Sequence, residues 1–107
     1  MVENDPRLLL LDPRDNVLIA RDQIAAGETV AVEGHRAAIS VDIRLGHKVA
    51  RRPIANGEQI WKYGAPIGRA TRAIAQAEHV HVHNIASDYT PTYVINDEAK
   101  EAAGGAS

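Results

Sequence analysis

The sequence predicts a mostly β protein, built as one compact barrel-like or clip-like module of short strands with little helix. Apolar residues alternate with polar ones over short runs, as they do in half-buried strands. Glycine and proline separate these runs, which indicates tight turns. Clean helical periodicity is confined to DEAKEAA at residues 97–103, where one or two frayed turns are expected. We expect one domain over residues 1–86 and a partly disordered tail over 87–107.

The composition narrows the function classes. A chain of 107 residues fits one domain with a core of its own. The absence of cysteine excludes disulfides and thiolate chemistry, so a metal ion would need His, Asp or Glu ligands. With 12 Lys plus Arg against 14 Asp plus Glu, nothing favours nucleic acid or a membrane surface as partner. The four-leucine run at residues 8–11 is too short for a signal peptide or a membrane span, so a cytoplasmic location is expected.

The strands follow one another along most of the chain. They are expected at residues 7–11, 16–21, 28–33, 37–41, 47–51, 58–63, 67–72 and 78–84. The first two are separated by DPRD, where Asp15 and the following Asn16 are favoured as turn residues without any further function. So small a β module has open edge strands, through which two copies could form a homo-oligomer.

An internal repeat divides the chain. The segments ARDQIAAGETV (20–30), ARRPIANGEQI (50–60) and ATRAIAQAEHV (70–80) share an Ala, an Ile-Ala pair, a Glu and a final apolar residue. Gly27 and Gly57 lie where a reversing chain needs a positive φ. The third copy has Ala77 there, at a cost on the order of 1 kcal/mol if the geometry is kept, so a different turn is expected at 76–78.

Three histidines alternate with valines in the last expected strand, AEHVHVHN at residues 77–84. In an extended strand, His79, His81 and His83 share one face, and Val80 and Val82 point into the core. The outer two imidazoles then start roughly 13 Å apart, too far to share one ion, and only neighbours could converge. A third ligand is not evident, so a solvated histidine row and a functional surface remain equally open.

Other polar residues are weaker candidates. Lys62 and Tyr63 end a strand before the turn GAP, and His47 and Lys48 begin one after Gly46. A lysine whose aliphatic stem covers apolar surface and a half-buried tyrosine explain such positions without function. His35, in EGHR, is expected to be solvated. No nucleotide-binding, zinc-protease or serine-hydrolase motif is present.

Several segments taken in order resemble a known family. DNVLIA (15–20), GHKVA (46–50), KYGAPIGRA (62–70) and EHVHVHN (78–84) are similar to the SAF domain, a β-clip module, in the form found in altronate and galactarate dehydratases and in the small subunit of sulfolactate sulfo-lyase. The resemblance covers about residues 8–85. It implies a small subunit of a hydro-lyase that needs a large dehydratase subunit and is inactive without it.

The resemblance also implies the chemistry. These lyases remove a proton α to a carboxylate and expel a β substituent from a small sugar acid, with a divalent metal, typically Fe²⁺, held mainly by the larger part. Imidazole, which titrates near pH 6.5 in peptides, suits such proton transfer. The catalytic residues are then expected to be His81 and His83, which could also bind the metal. The expected substrate-binding residues are Lys48, Lys62, Tyr63 and Asn84, the last of which could instead position the strand.

Two alternatives remain at this point. An SAF-like domain could be a non-enzymatic module that binds a carbohydrate or another protein, or a free-standing structural protein. The polar histidine row makes the structural alternative less attractive.

Overall fold

Nine short strands form three antiparallel sheets in residues 3–87, the part of the chain that the computed structural model describes. The strands are β1 (Leu8–Leu9), β2 (Val17–Ala20), β3 (Thr29–Val32), β4 (His35–Ala38), β5 (Lys48–Ala50), β6 (Gln59–Lys62), β7 (Ala65–Ala70), β8 (His79–Val80) and β9 (Ile85–Ala86). Residues 3–87 include no helix. The prediction of a mostly β fold is confirmed, while the helical turns expected at 97–103 and most of the expected tail lie outside the described residues.

A central sheet with strand order β1-β2-β5-β8 separates two hydrophobic cores. Directly paired residues of antiparallel strands share a face, so Leu18 and Val49 pack on one side, and Val17 and Ala50 on the other. The β3–β4 hairpin covers the first side and the β6–β7 hairpin the second. Each core is therefore closed by one hairpin, and both consist of Ile, Val, Leu and Ala, as the composition predicts.

Both hairpins turn through two residues with positive φ. These are Glu33 and Gly34 (51° and 80°) in the first hairpin, and Tyr63 and Gly64 (58° and 75°) in the second. Positive φ at both central residues is what a type I′ turn requires, and this turn matches the twist of its strands. Asp15 also supports the turn of the second hairpin. Its carboxylate accepts hydrogen bonds from the N–H groups of Tyr63 and Gly64, at 2.8 Å each.

Asp15 and Asn16 thus do more than complete their own turn. Both are buried, at 3% and 1% exposure. The Asn16 side chain donates to the carbonyl of Gln59 and accepts from the N–H of Trp61, which ties β6 to the start of β2. Turn preference explains the presence of these residues, and their long-range hydrogen bonds show that they hold the second hairpin on the central sheet.

The repeat forms equivalent corners. In each, an Ile pairs with another Ile in an isolated bridge, and the residue three positions later has positive φ. The Glu that follows accepts a hydrogen bond from the N–H three residues before it, at 2.9 Å in all three copies. The bridges join Ile24 to Ile43 and Ile54 to Ile74, so a fourth corner exists at Ile43, where His47 takes the place of the Glu.

The expected change of turn at Ala77 is wrong. Ala77 keeps the left-handed conformation, with φ of 70°, and its N–H binds the carbonyl of Ala50 as the Gly57 N–H binds that of Ala70. Its side chain is 3% exposed and belongs to the first core. Burial of one methyl group contributes about 0.8 kcal/mol. This contribution offsets much of the cost of a left-handed alanine, which explains why the turn survives.

We expect Gly27→Ala to lower the free energy of unfolding by about 1–2 kcal/mol, the cost of a left-handed alanine. A Cβ there would meet no atom within 4 Å, so no burial offsets the strain. Ala77→Gly should change the free energy by less than about 1 kcal/mol, because relief of strain and loss of a buried methyl oppose each other. Urea denaturation of both variants measures this difference, and equal losses would contradict it.

Several strand limits also differ from expectation. The first strand covers only Leu8–Leu9 of the expected 7–11, and the seventh, Ala65–Ala70, begins and ends two residues before the expected 67–72. The fourth strand begins at His35, earlier than the expected 37–41, because the two-residue turn brings His35 into register with Val32. The last expected strand, 78–84, ends at Val80, and a further short strand at Ile85–Ala86 pairs with β7. No helix within residues 3–87 is long and apolar enough to cross a membrane.

Candidate functional site

A turn at residues 81–84 presents the histidines of the last repeat. The N–H groups of Asn84 and Ile85 both bind the carbonyl of His81. The side chain of Asn84 accepts from the N–H of His81 and donates to the carbonyl of His79, at 2.9 Å and 2.8 Å. Asn84 is fully buried, so its amide holds this turn and leaves no exposed atom for a substrate. Its contacts therefore support the positioning role.

The turn alters the pleat expected from the sequence. Val80 lies in the second core, as predicted, but Val82 is 79% exposed, so its predicted place in the core is wrong. The imidazoles nevertheless remain neighbours. The ring centroids of His79 and His81 are 5.3 Å apart, and those of His79 and His83 are 5.5 Å apart. The ring of His79 therefore lies at the centre of the three.

His47 completes the group from the neighbouring strand. The β5–β8 register pairs Lys48 with Val80 and Val49 with His79, which brings His47 opposite His81. The ring of His47 stacks on those of His81 and His79, with centroids 4.7 Å and 5.2 Å away. Its Nδ1 forms a hydrogen bond of 3.0 Å with the Nε2 of His79, in which one of the two rings donates an N–H. We call His47, His79, His81 and His83 the histidine cluster.

His47 is the functional candidate whose partners the sequence reasoning missed. It stands at the fourth corner, in ISVDIRLGHKV (39–49), where the other three corners carry Glu. Each of these three glutamates accepts a hydrogen bond from the backbone of its own corner, whereas the side chain of His47 contacts His79. Aligning residues 39–49 with the three repeats would have shown the exchange of Glu for His.

Burial and like charge disfavour protonation within the cluster. Burial, followed by the positive charges of His47, His81, His83 and Lys48, lowers the pKa of His79 to about 4. The pKa of His81 is also lowered, mainly by burial and then by His47, Lys48 and His83. Near neutral pH, His79 is therefore a neutral imidazole with a lone pair available for a ligand or a hydrogen bond.

The two candidate lysines lie close to one another. Lys48, the first residue of β5, is half-buried, and burial followed by the charge of Lys62 lowers its pKa. Lys48 also affects the pKa values of His79 and His81, which shows that the lysine lies close to the cluster. Tyr63 is 76% exposed at the hairpin tip, and its described interaction is the hydrogen bond from its N–H to Asp15.

Three of the histidines could hold a metal ion. One ring nitrogen each from His47, His79 and His81 lies within 4.8 Å of the others. Two imidazole nitrogens bound to one ion at about 2.1 Å are roughly 3.0–3.4 Å apart. The His47–His79 separation already fits, and an approach of up to about 1.4 Å by the third ring, from the 4.8 Å limit to about 3.4 Å, would complete the set. This trio contains His81 of the expected pair and, through cross-strand pairing, His47, while the expected role of His83 stays a prediction.

No pocket surrounds the histidine cluster within residues 3–87. The ring of His83 is exposed, and the other three rings are half-buried. A small molecule bound here would keep much of its surface in water unless another protein or domain covered it.

The same residues lie within a recognised domain. The family model described as the altronate/galactarate dehydratase SAF domain matches residues 6–88. The chain belongs to this family. The β-clip fold and the segments from GHK to HVHN are thus those of an SAF domain, as the resemblance indicated.

Curated relatives include both complete dehydratases and a small subunit. The altronate dehydratase of Bacillus subtilis is 38% identical over 82% of this chain and 19% of its own length, and that of Escherichia coli is 43% identical over 65% and 14%. The (2R)-sulfolactate sulfo-lyase subunit alpha of Chromohalobacter salexigens is 51% identical over 40% of this chain and 46% of its own. The chain therefore spans about a fifth or less of the dehydratases and about half of this alpha subunit.

Proposed function

We propose that this SAF domain is the small subunit of a lyase of the altronate or galactarate dehydratase type. The reaction removes the proton α to a carboxylate of a small hydroxy acid and expels a β substituent, which is water in a dehydratase. The observation that carries the proposal is the histidine cluster beside Lys48, on a chain that belongs to this family. The relatives named as lyases or lyase subunits support the reaction class.

The charge of the surface supports an anionic substrate. The residues that perturb the pKa of His79 are all basic, and Lys48 lies near Lys62. The two lysine ammonium groups favour binding of a carboxylate, whose negative charge grows as the α proton leaves. We assign Lys48 and Lys62 to the carboxylate, with the exposed ring of Tyr63 as a further contact of the covered site.

Proton transfer requires an imidazole that is not engaged elsewhere. His83 is exposed and lies at the edge of the cluster, in contact with His79. We assign to His83 the transfer of a proton to or from the substrate. The ring of His81 stacks on those of His47 and His79, and we assign to it the holding of the substrate near a bound metal ion. A divalent ion, when bound, would stabilise the negative charge that develops on the substrate carboxylate.

A larger subunit is needed to complete such a site. The described surface encloses no pocket, whereas elimination of this type benefits from exclusion of water. Val82, between His81 and His83 in the sequence, and Leu45, two residues before His47, are 79% and 69% exposed. Exposed large apolar residues beside a polar site favour coverage by another protein surface. We propose that a dehydratase large subunit provides that surface and most of the catalytic groups.

Reconstitution tests this function. The chain alone is expected to show no turnover of altronate, galactarate or sulfolactate. Mixed with a dehydratase large subunit and Fe²⁺, it should restore elimination from one of these acids. The assay measures formation of the dehydrated acid or release of sulfite. The large subunit without the chain is the matched control.

The alternative is a binding module without a role in chemistry. The lack of a pocket within the described residues favours this alternative, because a surface without a pocket suits contact with another protein. Full activity of the large subunit without the chain would overturn the lyase assignment. Loss of partner binding without a change in the chemical step, on replacing His81 and His83 together by alanine, would establish the binding module instead.

A further inference from the structure

We infer that this chain by itself binds one divalent transition-metal ion, through ring nitrogens of His47, His79 and His81. The inference goes beyond the proposed function, because it concerns the isolated chain and needs neither a partner nor turnover. It also departs from the expectation that a larger subunit mainly holds the metal.

The backbone brings the three ligands together before any ion binds. His47 and His81 lie opposite each other at the end of the β5–β8 ladder, and His79 precedes His81 by two residues. The buried amide of Asn84 fixes the backbone of His79 and His81 through two hydrogen bonds. Little conformational entropy is therefore lost when the rings turn toward one ion, which favours tight binding.

The fourth corner supplies the decisive ligand. At the other three corners the side chain at this position is Glu, and its carboxylate accepts a hydrogen bond from its own backbone. With His47 at this position, the side chain reaches across to His79, with 3.0 Å between Nδ1 and Nε2. A nitrogen pair at this distance matches two adjacent ligands of one ion.

The donor set selects the metal. Three imidazoles and no carboxylate form the group, and imidazole suits Fe²⁺, Co²⁺, Ni²⁺, Cu²⁺ and Zn²⁺ rather than Mg²⁺ or Ca²⁺. Three protein ligands leave at least one coordination position of such an ion for water or for an oxygen atom of a hydroxy acid.

Metal titration of the full 107-residue chain, first freed of metal by chelation, tests the inference. Zn²⁺ should bind with a stoichiometry of one in calorimetry, and Co²⁺ should give the visible absorption of a nitrogen-ligated ion. Mg²⁺ should give no comparable signal. His47→Gln, His79→Gln and His81→Gln should each weaken Zn²⁺ binding about 100-fold or more, since loss of an outer-shell contact alone costs 10–100-fold.

His35→Gln is the matched control, because His35 lies on the β3–β4 hairpin, outside the histidine cluster. This variant should bind Zn²⁺ within about threefold of the parent. Thermal unfolding of each variant shows whether it is folded. Unchanged binding in folded variants of the three ligands, equal weakening in His35→Gln, or equal affinity for Mg²⁺ would overturn the inference. Metal binding without any lyase activity would overturn only the proposed function.

Discussion

Replacing Asp15 with alanine is expected to lower the free energy of unfolding by about 3–5 kcal/mol. The carboxylate is 3% exposed, and its two oxygens accept the N–H groups of Tyr63 and Gly64. Hydrogen bonds to a charged group contribute about 1.5–3 kcal/mol each, and the truncation removes both acceptors from the turn. A domain of this size has only about 5–15 kcal/mol in total, so the variant should lose a large fraction of its stability. Urea denaturation followed by circular dichroism measures the loss.

Two further variants separate the hydrogen bonds from general effects. Asp15→Asn keeps one acceptor oxygen and should lose about half as much stability as Asp15→Ala. Asp22→Ala removes an exposed carboxylate whose hydrogen bond is to the adjacent Gln23 N–H, and should change stability by about 0.5 kcal/mol or less. A loss in Asp15→Ala no larger than that in Asp22→Ala would show that the hairpin does not depend on this carboxylate.

Local chemistry explains why so much of the fold could be predicted. The corners are recognisable because their contacts are local. Gly27 and Gly57 adopt positive φ, and the glutamate after each accepts a hydrogen bond from an N–H only three residues earlier. Alternation of apolar residues likewise locates the strands that line the cores. The corner at Ala77 was mispredicted because its side chain is stabilised by burial in a core that local preference does not describe.

The site depends on contacts between distant segments, which periodicity does not reveal. Val82 continues the apolar alternation, yet the side chain of Asn84 binds the backbone of His79 and His81 and turns the chain before Val82. His47 and His79 are 32 residues apart in the sequence, and only the register of β5 with β8 brings them together. The sequence therefore predicts that His79, His81 and His83 are neighbours, but not that His47 joins them.

In an assembled lyase, His83→Ala is expected to lower kcat by about 10²–10⁴-fold while the bound metal is retained. This is the usual contribution of one acid–base group. His83 is exposed and outside the three-nitrogen group, so its loss leaves the ligands in place. His81→Ala should lower kcat at least as much. It should also lower the metal content, because it removes a proposed ligand. Steady-state kinetics and metal analysis of the same preparations measure both quantities.

The contrast between the two histidines separates proton transfer from metal binding. His35 lies on the β3–β4 hairpin, outside the histidine cluster, so His35→Ala should leave both kcat and metal content unchanged. If added metal restores the activity of His83→Ala, this histidine is a ligand and the trio is incomplete. If His83→Ala retains full kcat, the proton-transfer group belongs to the larger subunit, and the histidine cluster contributes through the metal and the substrate carboxylate alone.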